Sequence, residues 1–499
     1  MLKKIRLTLA ILFFTAVTLL FLDFTGTIHA WFGWLAKIQF LPAVLALNIG
    51  IIAALIIITL IIGRVYCSVI CPLGIMQDII SWINSRRGKK QQRRFSYSSA
   101  KSRMRYTILI LFIAAMIAGI GSVVALLAPY SSYGRIANNL LAPLYICGNN
   151  ILAYFAERAD SYAFYQTDVW IKSLSTFIVT VGSFIIIAIL AWKNGRTYCN
   201  TICPVGTVLG FISKYSLLKV RIDPDKCHNC SLCSRQCKAA CIDYKNHAID
   251  YSRCVDCMDC IDSCEFDAIS FGPAKKKKQK FDPYYTVEEP NNTRRSFIVT
   301  AIATATTAAL KAQEKTVDGG LAIIEDKKIP NRNTHIEPPG ALSLQHFAQH
   351  CTACQLCVSV CPNGVLRPSG DIERLMQPEM SYERGYCRPE CNKCSQVCPT
   401  GAITPITVAE KSAIHIGHAV WIRKNCIPLT DGVECGNCAR HCPVGAIKMV
   451  PSDSNDSQSV KIPVINEERC IGCGACENLC PSRPFSAIYV EGHKVHHEQ

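Results

Sequence analysis

Cysteine is the residue type in this sequence with the greatest capacity for chemistry. The 499 residues include 30 cysteines, and 24 of them fall into six runs built on the spacing C-x2-C-x3-C. This spacing is typical of ligands to 4Fe-4S clusters, whereas disulfide scaffolds belong to small secreted chains. No C-x-x-C-H motif occurs, so covalently attached c-type haem is not expected. The sequence predicts six 4Fe-4S clusters.

Two of the runs lie in mid-chain with the spacing of a two-cluster bacterial ferredoxin. In such pairs the last cysteine of each run binds the other cluster. One cluster is therefore predicted to use Cys227, Cys230, Cys233 and Cys264, and the other Cys254, Cys257, Cys260 and Cys237. Lys238 and Glu265 stand where proline usually follows, and Cys241 is a rival to Cys237 as the crossing ligand. Zinc is the alternative metal, although zinc sites generally use two separated cysteine pairs.

The other four runs lie near the C-terminus, and each ends in Cys-Pro. Sixteen thiolates predict four further cubanes, each run lending its last cysteine to another run. Spacing alone does not identify the partners. We expect His441 to be a surface or neighbouring residue rather than a ligand, and His493, His496 and His497 to be solvated. The predicted ligands are Cys351, Cys354, Cys357 and Cys361; Cys387, Cys391, Cys394 and Cys398; Cys426, Cys435, Cys438 and Cys442; and Cys470, Cys473, Cys476 and Cys480.

An internal repeat supplies four more thiols. The stretch 63–74 matches 195–206 at eight of twelve positions, both reading G-R-x-Y-C-x2-I-C-P-x-G. Pseudo-twofold packing would bring Cys67, Cys71, Cys199 and Cys203 together, and the nearby arginines and helix amides would favour thiolates. An additional iron-sulfur centre, a redox-active dithiol and a purely structural role all remain open.

Four apolar stretches, roughly 7–23, 41–62, 106–128 and 171–192, are close to the length that crosses a bilayer. The mean hydropathy of +0.20 agrees with a membrane part. The strongly basic segment between the second and third stretches predicts a cytoplasmic loop, and the less basic segment 129–170 a translocated one. The first stretch could instead be a signal peptide. His29, beside Trp31 and Trp34, is a possible quinone contact but is more simply a structural residue at the membrane interface.

The segment after the mid-chain runs is polar and basic and predicts a linker. It leads into Thr293-Arg294-Arg295-Ser296-Phe297-Ile298-Val299 and a mildly apolar run, which resembles a twin-arginine export signal. A cytoplasmic linker helix is the alternative. The net charge of +16 is grouped at such sites, which favours membrane orientation rather than nucleic-acid binding.

These observations predict a membrane α-helical bundle of four transmembrane helices, with a fifth possible, joined to two ferredoxin-like parts. We expect a transmembrane domain over 1–215 and an α+β two-cluster ferredoxin domain over 216–272. A linker with an anchor segment follows over 273–315, and a four-cluster polyferredoxin domain over 316–499.

On these motifs, residues 1 to about 280 resemble NapH-type membrane ferredoxins, which share C-x3-C-P helices with the NosR and CcoG families. Residues from about 290 onward resemble NapG- or MauM-type four-cluster ferredoxins. The resemblance implies a natural fusion in the bacterial inner membrane, with the mid-chain ferredoxin cytoplasmic and the C-terminal domain periplasmic. It also implies that C-terminal runs one and four exchange last ligands, as do runs two and three.

The function implied is electron transfer between membrane quinone or quinol and a partner reductase. The sequence offers no terminal substrate site, so any final reaction belongs to the partner. The alternative is a NosR- or CcoG-like protein that supports maturation or regulation of a metalloenzyme. Genomic neighbours would distinguish these functions: a reductase encoded nearby favours electron transfer, and copper-handling proteins favour maturation.

Overall fold

The computed structural model describes residues 2–23, 26–86, 95–161, 163–167, 169–273, 316–317, 322–323 and 325–498. The twin-arginine-like segment and nearly all of the basic linker lie outside the described residues. Five of the ten basic residues predicted to hold the loop between the second and third apolar stretches in the cytoplasm, Arg87, Lys89, Lys90, Arg93 and Arg94, also lie outside the described residues.

The first 213 residues contain the helical unit. Two of its helices are long and apolar enough to cross a membrane, Leu2–Leu22 and Leu174–Asn194. Each has 21 residues and is therefore about 30 Å long. The helices are α1 Leu2–Leu22, α2 Thr27–Phe32, α3 Trp34–Lys37, α4 Phe40–Leu45, α5 Ile49–Ile62, α6 Pro72–Ser85, α7 Ser102–Ile117, α8 Gly121–Leu127, α9 Pro129–Ile136, α10 Ala142–Arg158, α11 Leu174–Asn194 and α12 Pro204–Ser213.

The other two predicted spans are each broken into two shorter helices, so four membrane-spanning helices are not confirmed. Asn48 separates α4 from α5, because its side chain accepts the Ile51 N–H at 3.2 Å and begins a new helix. Gly119, with a φ of 73°, ends α7 and allows α8 to start in a new direction. The cap at Asn48 and the positive φ of Gly119 therefore divide apolar runs that hydropathy alone predicts to be continuous helices.

The segment predicted to be a translocated loop, 129–170, is largely helical. It forms α9 and α10, joined by a π-helical turn over Ala137–Leu141. Pro129 occupies the first turn of α9, where a proline ring is tolerated. Every residue of α9 is buried, including Arg135, so α9 belongs to the core rather than to a surface loop.

The mid-chain ferredoxin part is closed by an antiparallel pair of strands. β1 Leu218–Ile222 pairs with β4 Ile269–Pro273, with Ile222 opposite Ile269. Between them lie β2 Ile242–Asp243, β3 Ala248–Ile249 and the single-turn helices α13 Leu232–Gln236 and α14 Asp259–Asp262. The closing strands bring the first and last residues of the pair together, which is the α+β arrangement predicted.

The C-terminal part consists of short helices between two-stranded sheets. Its largest sheet pairs strand Ile414–Trp421 with strand Ile488–Glu498. The remaining strands are Thr316–Val317, Ala322–Ile323, Leu366–Pro368, Pro378–Met380, Ile447–Asp453 and Asp456–Ile465. The helices are Leu344–His350, Leu356–Ser359, Lys393–Val397, Val408–Ala413, Ile427–Thr430, Asn437–Arg440 and Ala475–Leu479, with a 3-10 turn at Arg423–Asn425.

The two cysteine-rich parts contact opposite ends of the helical unit. Just before α11, Lys172 Nζ donates to the Val358 carbonyl of the C-terminal part at 3.0 Å. Just after α11, the Arg196 N–H donates to the Lys238 carbonyl of the mid-chain part at 2.8 Å. α1 begins at the end of the helical unit that contacts the mid-chain part, where Lys3 Nζ lies 3.5 Å from Asp259 Oδ1. The length of α11 therefore separates the two sets of contacts.

Candidate iron-sulfur sites

The two repeated motifs fold alike. Cys67 lies in a π-helical turn over Tyr66–Ile70 and Cys199 in one over Tyr198–Ile202. The second cysteine of each motif is extended, and proline follows it as the first residue of α6 or α12. Such single-turn π-helices often occur at functional sites, because they turn side chains away from the regular helical face.

A glycine in each motif allows the two copies to interlock. A Cβ added at Gly74 would lie 2.3 Å from the Cys67 carbonyl oxygen and 2.8 Å from Arg196 Nη1. A Cβ at Gly206 would lie 2.2 Å from the Cys199 oxygen and 2.9 Å from Arg64 Nη2. Each arginine thus reaches across the pseudo-twofold axis, and only glycine leaves room for it.

This interlocking brings the four motif cysteines together in the core of the helical unit. Cys67, Cys71, Cys199 and Cys203 are all buried and belong to one packed cluster. Three N–H donors point at their sulfurs: Gln77 Nε2 to Cys199 at 3.2 Å, the Gly206 amide to Cys203 at 3.3 Å and Arg64 Nη2 to Cys67 at 3.7 Å. The quartet predicted from the repeat is therefore present.

Three thiols of this quartet have raised pKa values. Burial raises the pKa of Cys71, Cys199 and Cys203, and the arginine charges near Cys71 and Cys199 do not reverse the shift. A redox dithiol needs a lowered pKa, whereas metal binding removes the proton outright. Four thiols in one packed cluster are the ligand set that a 4Fe-4S centre would need.

The mid-chain cysteines form the two groups that the crossing rule predicts. Cys227, Cys230, Cys233 and Cys264 line one small cavity. Cys237, Cys254, Cys257 and Cys260 line the other, together with Cys241.

Cys241 lies beside Cys237 and lines the same cavity. The two sulfurs are 3.5 Å apart. Hydrogen bonding from Cys241 lowers the pKa of Cys237 to about 7, while the pKa of Cys241 rises.

The C-terminal runs exchange cysteines differently from the expectation carried by the resemblance. Runs one and two are partners, and so are runs three and four; the pairing of one with four and two with three is wrong. Cys361 lines a cavity with Cys387, Cys391 and Cys394, and Cys480 one with Cys426, Cys435 and Cys438. Cys398 lies among Cys351, Cys354 and Cys357, and Cys442 beside Cys470 and Cys473.

The backbone of the regular runs is preshaped for an anionic cluster. In all four C-x2-C-x2-C loops the second and fourth residues after the first cysteine have φ between 49° and 79°. Alternating left-handed residues turn successive amides toward one centre, which makes a concave anion site. The residues concerned are Asn229 and Ser231, Asp256 and Met258, Ala353 and Gln355, and Gly472 and Gly474.

Two further observations test whether iron-sulfur clusters fit. The amides of Ala268, Ala446 and Ala487 donate to Cys264, Cys442 and Cys480 at 3.2 to 3.3 Å. All 30 cysteines are free of disulfides, and among the described residues no three His, Cys, Asp or Glu are close enough to hold one metal ion. A cubane binds each thiolate through a different iron and so needs wider spacing than zinc.

Arg135 provides an independent sign of a missing anion. Its guanidinium is fully buried next to the Cys354 loop. Nε and Nη1 have no hydrogen-bond partner within the described parts of the chain. An unpaired buried cation is strongly unfavourable, and a cluster held by thiolates would supply the opposing charge.

The sites follow one another through direct contacts. Arg64, in the first motif, donates its N–H to Asp256 of the Cys254 loop at 2.8 Å. Cys354 belongs to the same packed core as Cys199, and Arg135 lies close to both Cys354 and Tyr198 of the second motif. The Cys387 N–H donates to the Cys473 carbonyl at 2.9 Å, which joins the two C-terminal pairs.

Histidines have minor roles in this arrangement. His29 Nδ1 contacts Asp23 at 3.1 Å, as a structural residue would, and exposed His441 bonds the Asn437 carbonyl at 2.9 Å. The tail forms a strand in which His493 packs on His418, so His493 and His496 are not solvated as expected, whereas His497 is exposed. The sequence analysis also did not identify Asp78 as a partner of the motif arginine Arg196. Its only signal in the sequence is that it is the single acid in the basic segment between the second and third apolar stretches.

Comparisons with known proteins agree with these sites. A 4Fe-4S binding domain matches residues 44–90 and 176–223, which carry the two repeated motifs. A 4Fe-4S dicluster domain matches 350–415 and 433–483. Another 4Fe-4S dicluster domain matches 250–365. This range contains the runs that begin at Cys254 and Cys351, which belong to the mid-chain part and the C-terminal part of the structure respectively. No solved structure is significantly similar to the chain.

Among similar proteins, the ferredoxin-type protein NapH of Haemophilus influenzae is 25% identical over 218 residues, 42% of this chain and 62% of NapH. The methylamine utilization ferredoxin-type protein MauN of Paracoccus denitrificans is 24% identical over 176 residues, 35% of this chain and 48% of MauN. The ferredoxin-type protein NapF of Escherichia coli is 32% identical over 160 residues, 32% of this chain and 87% of NapF. With its several 4Fe-4S domains, the chain belongs to the NapH-type polyferredoxins, which are iron-sulfur electron-transport proteins.

Proposed function

We propose that this protein conducts electrons between the quinone pool and a partner reductase through seven 4Fe-4S clusters. Six would be held by the cysteine runs and the seventh by Cys67, Cys71, Cys199 and Cys203. The observation that carries the proposal is the position of this quartet. Arg64 bonds it to the Cys254 loop, and Arg135, in the core that it shares with Cys354, lies between its second motif and the Cys354 loop.

The contacts support a linear order of one-electron carriers. The path would run from the exposed Cys230 end of the mid-chain pair, through the membrane quartet, to the first C-terminal quartet. The Cys387 to Cys473 contact continues it to the last pair, where the cavity beside Trp421 lies at the far end. Ligand exchange within each pair holds its two clusters close together, as in ferredoxins.

The same contacts support a protein that works on both sides of a membrane. In this proposal the chain is multi-pass in the bacterial inner membrane, with the mid-chain ferredoxin domain (216–272) in the cytoplasm and the C-terminal domain (316–499) in the periplasm. The helix α11, about 30 Å long, matches the thickness of the apolar part of a bilayer. A partner reductase would then accept electrons outside.

The experiment is anaerobic reduction of the purified protein by decylubiquinol, followed by electron paramagnetic resonance. In the wild type, signals of both the mid-chain and the C-terminal clusters should change. In Cys71→Ser, only the clusters on the quinol side of the gap should be reduced, while the exposed Cys147→Ser serves as the matched control. Full reduction of every cluster in Cys71→Ser would contradict a path through the membrane quartet.

Sidedness is tested with protease access to a C-terminal tag in intact spheroplasts. Digestion without lysis is expected if the C-terminal domain is periplasmic. Protection until lysis would place all clusters in the cytoplasm and make a cytoplasmic electron partner the better hypothesis.

A further inference from the structure

A large cavity lies where α1, α6 and the mid-chain ferredoxin part meet. Its volume is about 790 Å³, within the range of about 300 to 1,000 Å³ that small-molecule sites occupy. The cysteine cavities described above are much smaller. None of the quartet cysteines lines it, so it is not itself a cluster site.

One wall of the cavity is apolar and faces outward. It is formed by Leu7, Ile11 and Phe14 of α1 and by Ile79 and Trp82 of α6. Ile11 is 56% exposed and Trp82 is 51% exposed. Since α1 is one of the two helices able to span a bilayer, this wall would open toward lipid. A ligand with a long apolar tail could enter from there.

The opposite wall is charged but balanced. Three cations, Lys3, Arg6 and Lys238, and three carboxylates, Asp78, Asp259 and Asp262, line it. They pair with one another: Arg6 with Asp78 at 2.6 Å, Lys238 with Asp259 at 2.9 Å and Lys3 with Asp262 at 3.3 Å.

This balance restricts the headgroup. Arg196, which does not line the cavity, also pairs with Asp78, so all four cations here already have a carboxylate partner and none is left unpaired for a phosphate or anionic lipid head. The ammonium and guanidinium groups can donate hydrogen bonds, and the carboxylates can accept them. The wall therefore suits a neutral head that carries both acceptors and, in its reduced form, hydroxyl donors.

The cavity also adjoins two cysteine quartets. Asp78 accepts from Arg196 Nε at 2.9 Å, and Nη1 of the same arginine donates to the Cys67 carbonyl. On the other side, Gln236 and Lys238 flank Cys237 of the mid-chain pair. A molecule held here would lie between the membrane quartet and the nearer ferredoxin quartet.

We propose that this cavity binds the headgroup of an isoprenoid quinone, with the tail leaving between α1 and α6. Arg6 and Lys238 would donate to the quinone carbonyl oxygens, and Leu7, Ile11 and Trp82 would contact the first tail units. The inference rests on the proposed function, because it names where the quinone of that pathway is held. It assigns no role to His29, which lies at the other end of α1.

The test is photolabelling of the purified holoprotein with an azido-substituted decylubiquinone, with the labelled peptides identified by mass spectrometry. Ile11→Trp fills the cavity from α1. Leu12→Trp is its matched control, because Leu12 is the next residue, is 60% exposed and does not line the cavity. Ile79→Trp and Ile83→Trp form a second pair on α6, in case the first pair fails to fold. Visible absorbance of the clusters checks that each variant is loaded.

Label is expected on α1 or α6 in the wild type and in the controls, and reduced more than about tenfold in Ile11→Trp and Ile79→Trp, which corresponds to a loss of about 1.4 kcal/mol or more of binding. Equal labelling of cavity and control variants, or label confined to other segments, would overturn the assignment. Bleaching of the wild-type clusters by decylubiquinol is measured in parallel. Bleaching without label in the cavity defeats the site but not the proposed function, whereas label without bleaching defeats the proposed function.

Discussion

The two copies of the cysteine motif share a backbone but not their surroundings. Each has a π-helical turn, an extended second cysteine and a glycine that admits the arginine of the other copy. Arg64 is held by neutral groups, the Asn200 amide at 2.9 Å and the Ser252 carbonyl at 3.0 Å. Arg196 is instead held by two bonds to the Asp78 carboxylate. The repeat thus builds the quartet, and the neighbours make its two sides different.

The difference follows from single positions in the helices after each motif. Asp78 of α6 corresponds to Gly210 of α12, and Gln77 corresponds to Leu209. Gly210 cannot be replaced by an acid, since a Cβ there would lie 2.4 Å from the Ser252 carbonyl. The large cavity adjoins only the Asp78 side. A symmetric quartet therefore has a ligand-binding environment on one side only.

The largest effect is expected from removing one cysteine of the quartet that the two copies build together. Cys71→Ser should lose the seventh cluster, because three thiolates and a buried hydroxyl hold a cubane poorly, and iron content should fall by about four atoms per chain. Chemical iron analysis against protein concentration measures this. Cys147→Ser should keep the wild-type iron content, because Cys147 is exposed and outside every quartet. Unchanged iron in Cys71→Ser would mean that the quartet is structural.

The two arginine environments should differ in their energetic importance. Asp78→Asn leaves the buried Arg196 without its counter-charge and should destabilise the helical unit by about 3 kcal/mol. Burial alone would raise the pKa of Asp78, but the charges of Arg196 and Lys238 lower it well below its usual range, so the carboxylate is ionised at neutral pH. Guanidinium unfolding in detergent, followed by helical circular dichroism, measures the loss.

Asn200→Ala is the matched change at the other arginine. Arg64 keeps its bonds to the Ser252 and Cys199 carbonyls, so only about 1 kcal/mol should be lost. If the two variants lose equal stability, the charge asymmetry of the two copies has no energetic weight.

The glycines should respond alike in both copies. Gly74→Ala and Gly206→Ala each push a methyl group into a carbonyl oxygen and an arginine, and should cost about 1 to 3 kcal/mol. Gly148→Ala, in α10, has nothing within 4 Å of the added Cβ and should be neutral or slightly stabilising. The same unfolding titration compares all three. A harmless Gly206→Ala beside a damaging Gly74→Ala would show that the copies do not interlock.

Local spacing was enough to predict the mid-chain quartets and the membrane quartet. Three cysteines within seven residues form one loop whatever the surroundings, and the repeat at 63–74 and 195–206 contains both halves of the central site. The partners of C-terminal runs could not be obtained in this way. Which loop receives Cys361 or Cys480 depends on packing between segments far apart in sequence, and the family resemblance predicted the wrong exchange.

Helix boundaries also depended on features that hydropathy does not report. Asn48 and Gly119 interrupt runs that are apolar enough to read as single spans, because one caps a new helix and the other adopts a positive φ. Arg135 sits in a segment with the composition of a loop, yet it is buried beside the Cys354 loop. The burial of Arg135 is explained by the cysteines of the neighbouring Cys354 loop, and not by the composition of α9.

The smallest expected effect concerns the redox potential of the central site. Gln77 Nε2 donates to Cys199 Sγ at 3.2 Å, and the other copy has Leu209 at the equivalent position. Gln77→Leu makes the two copies alike and removes a donor that stabilises the more negative, reduced state. The midpoint potential should fall by about 60 mV, the one-electron equivalent of about 1.4 kcal/mol. Redox titration followed by electron paramagnetic resonance measures it. Gln39→Leu removes a buried glutamine that bonds the Leu35 and Ile70 carbonyls and the Tyr66 hydroxyl but no sulfur, so it should leave the potential unchanged. A shift of equal size in both variants would trace the effect to packing, and the Gln77 hydrogen bond would then have no part in setting the potential.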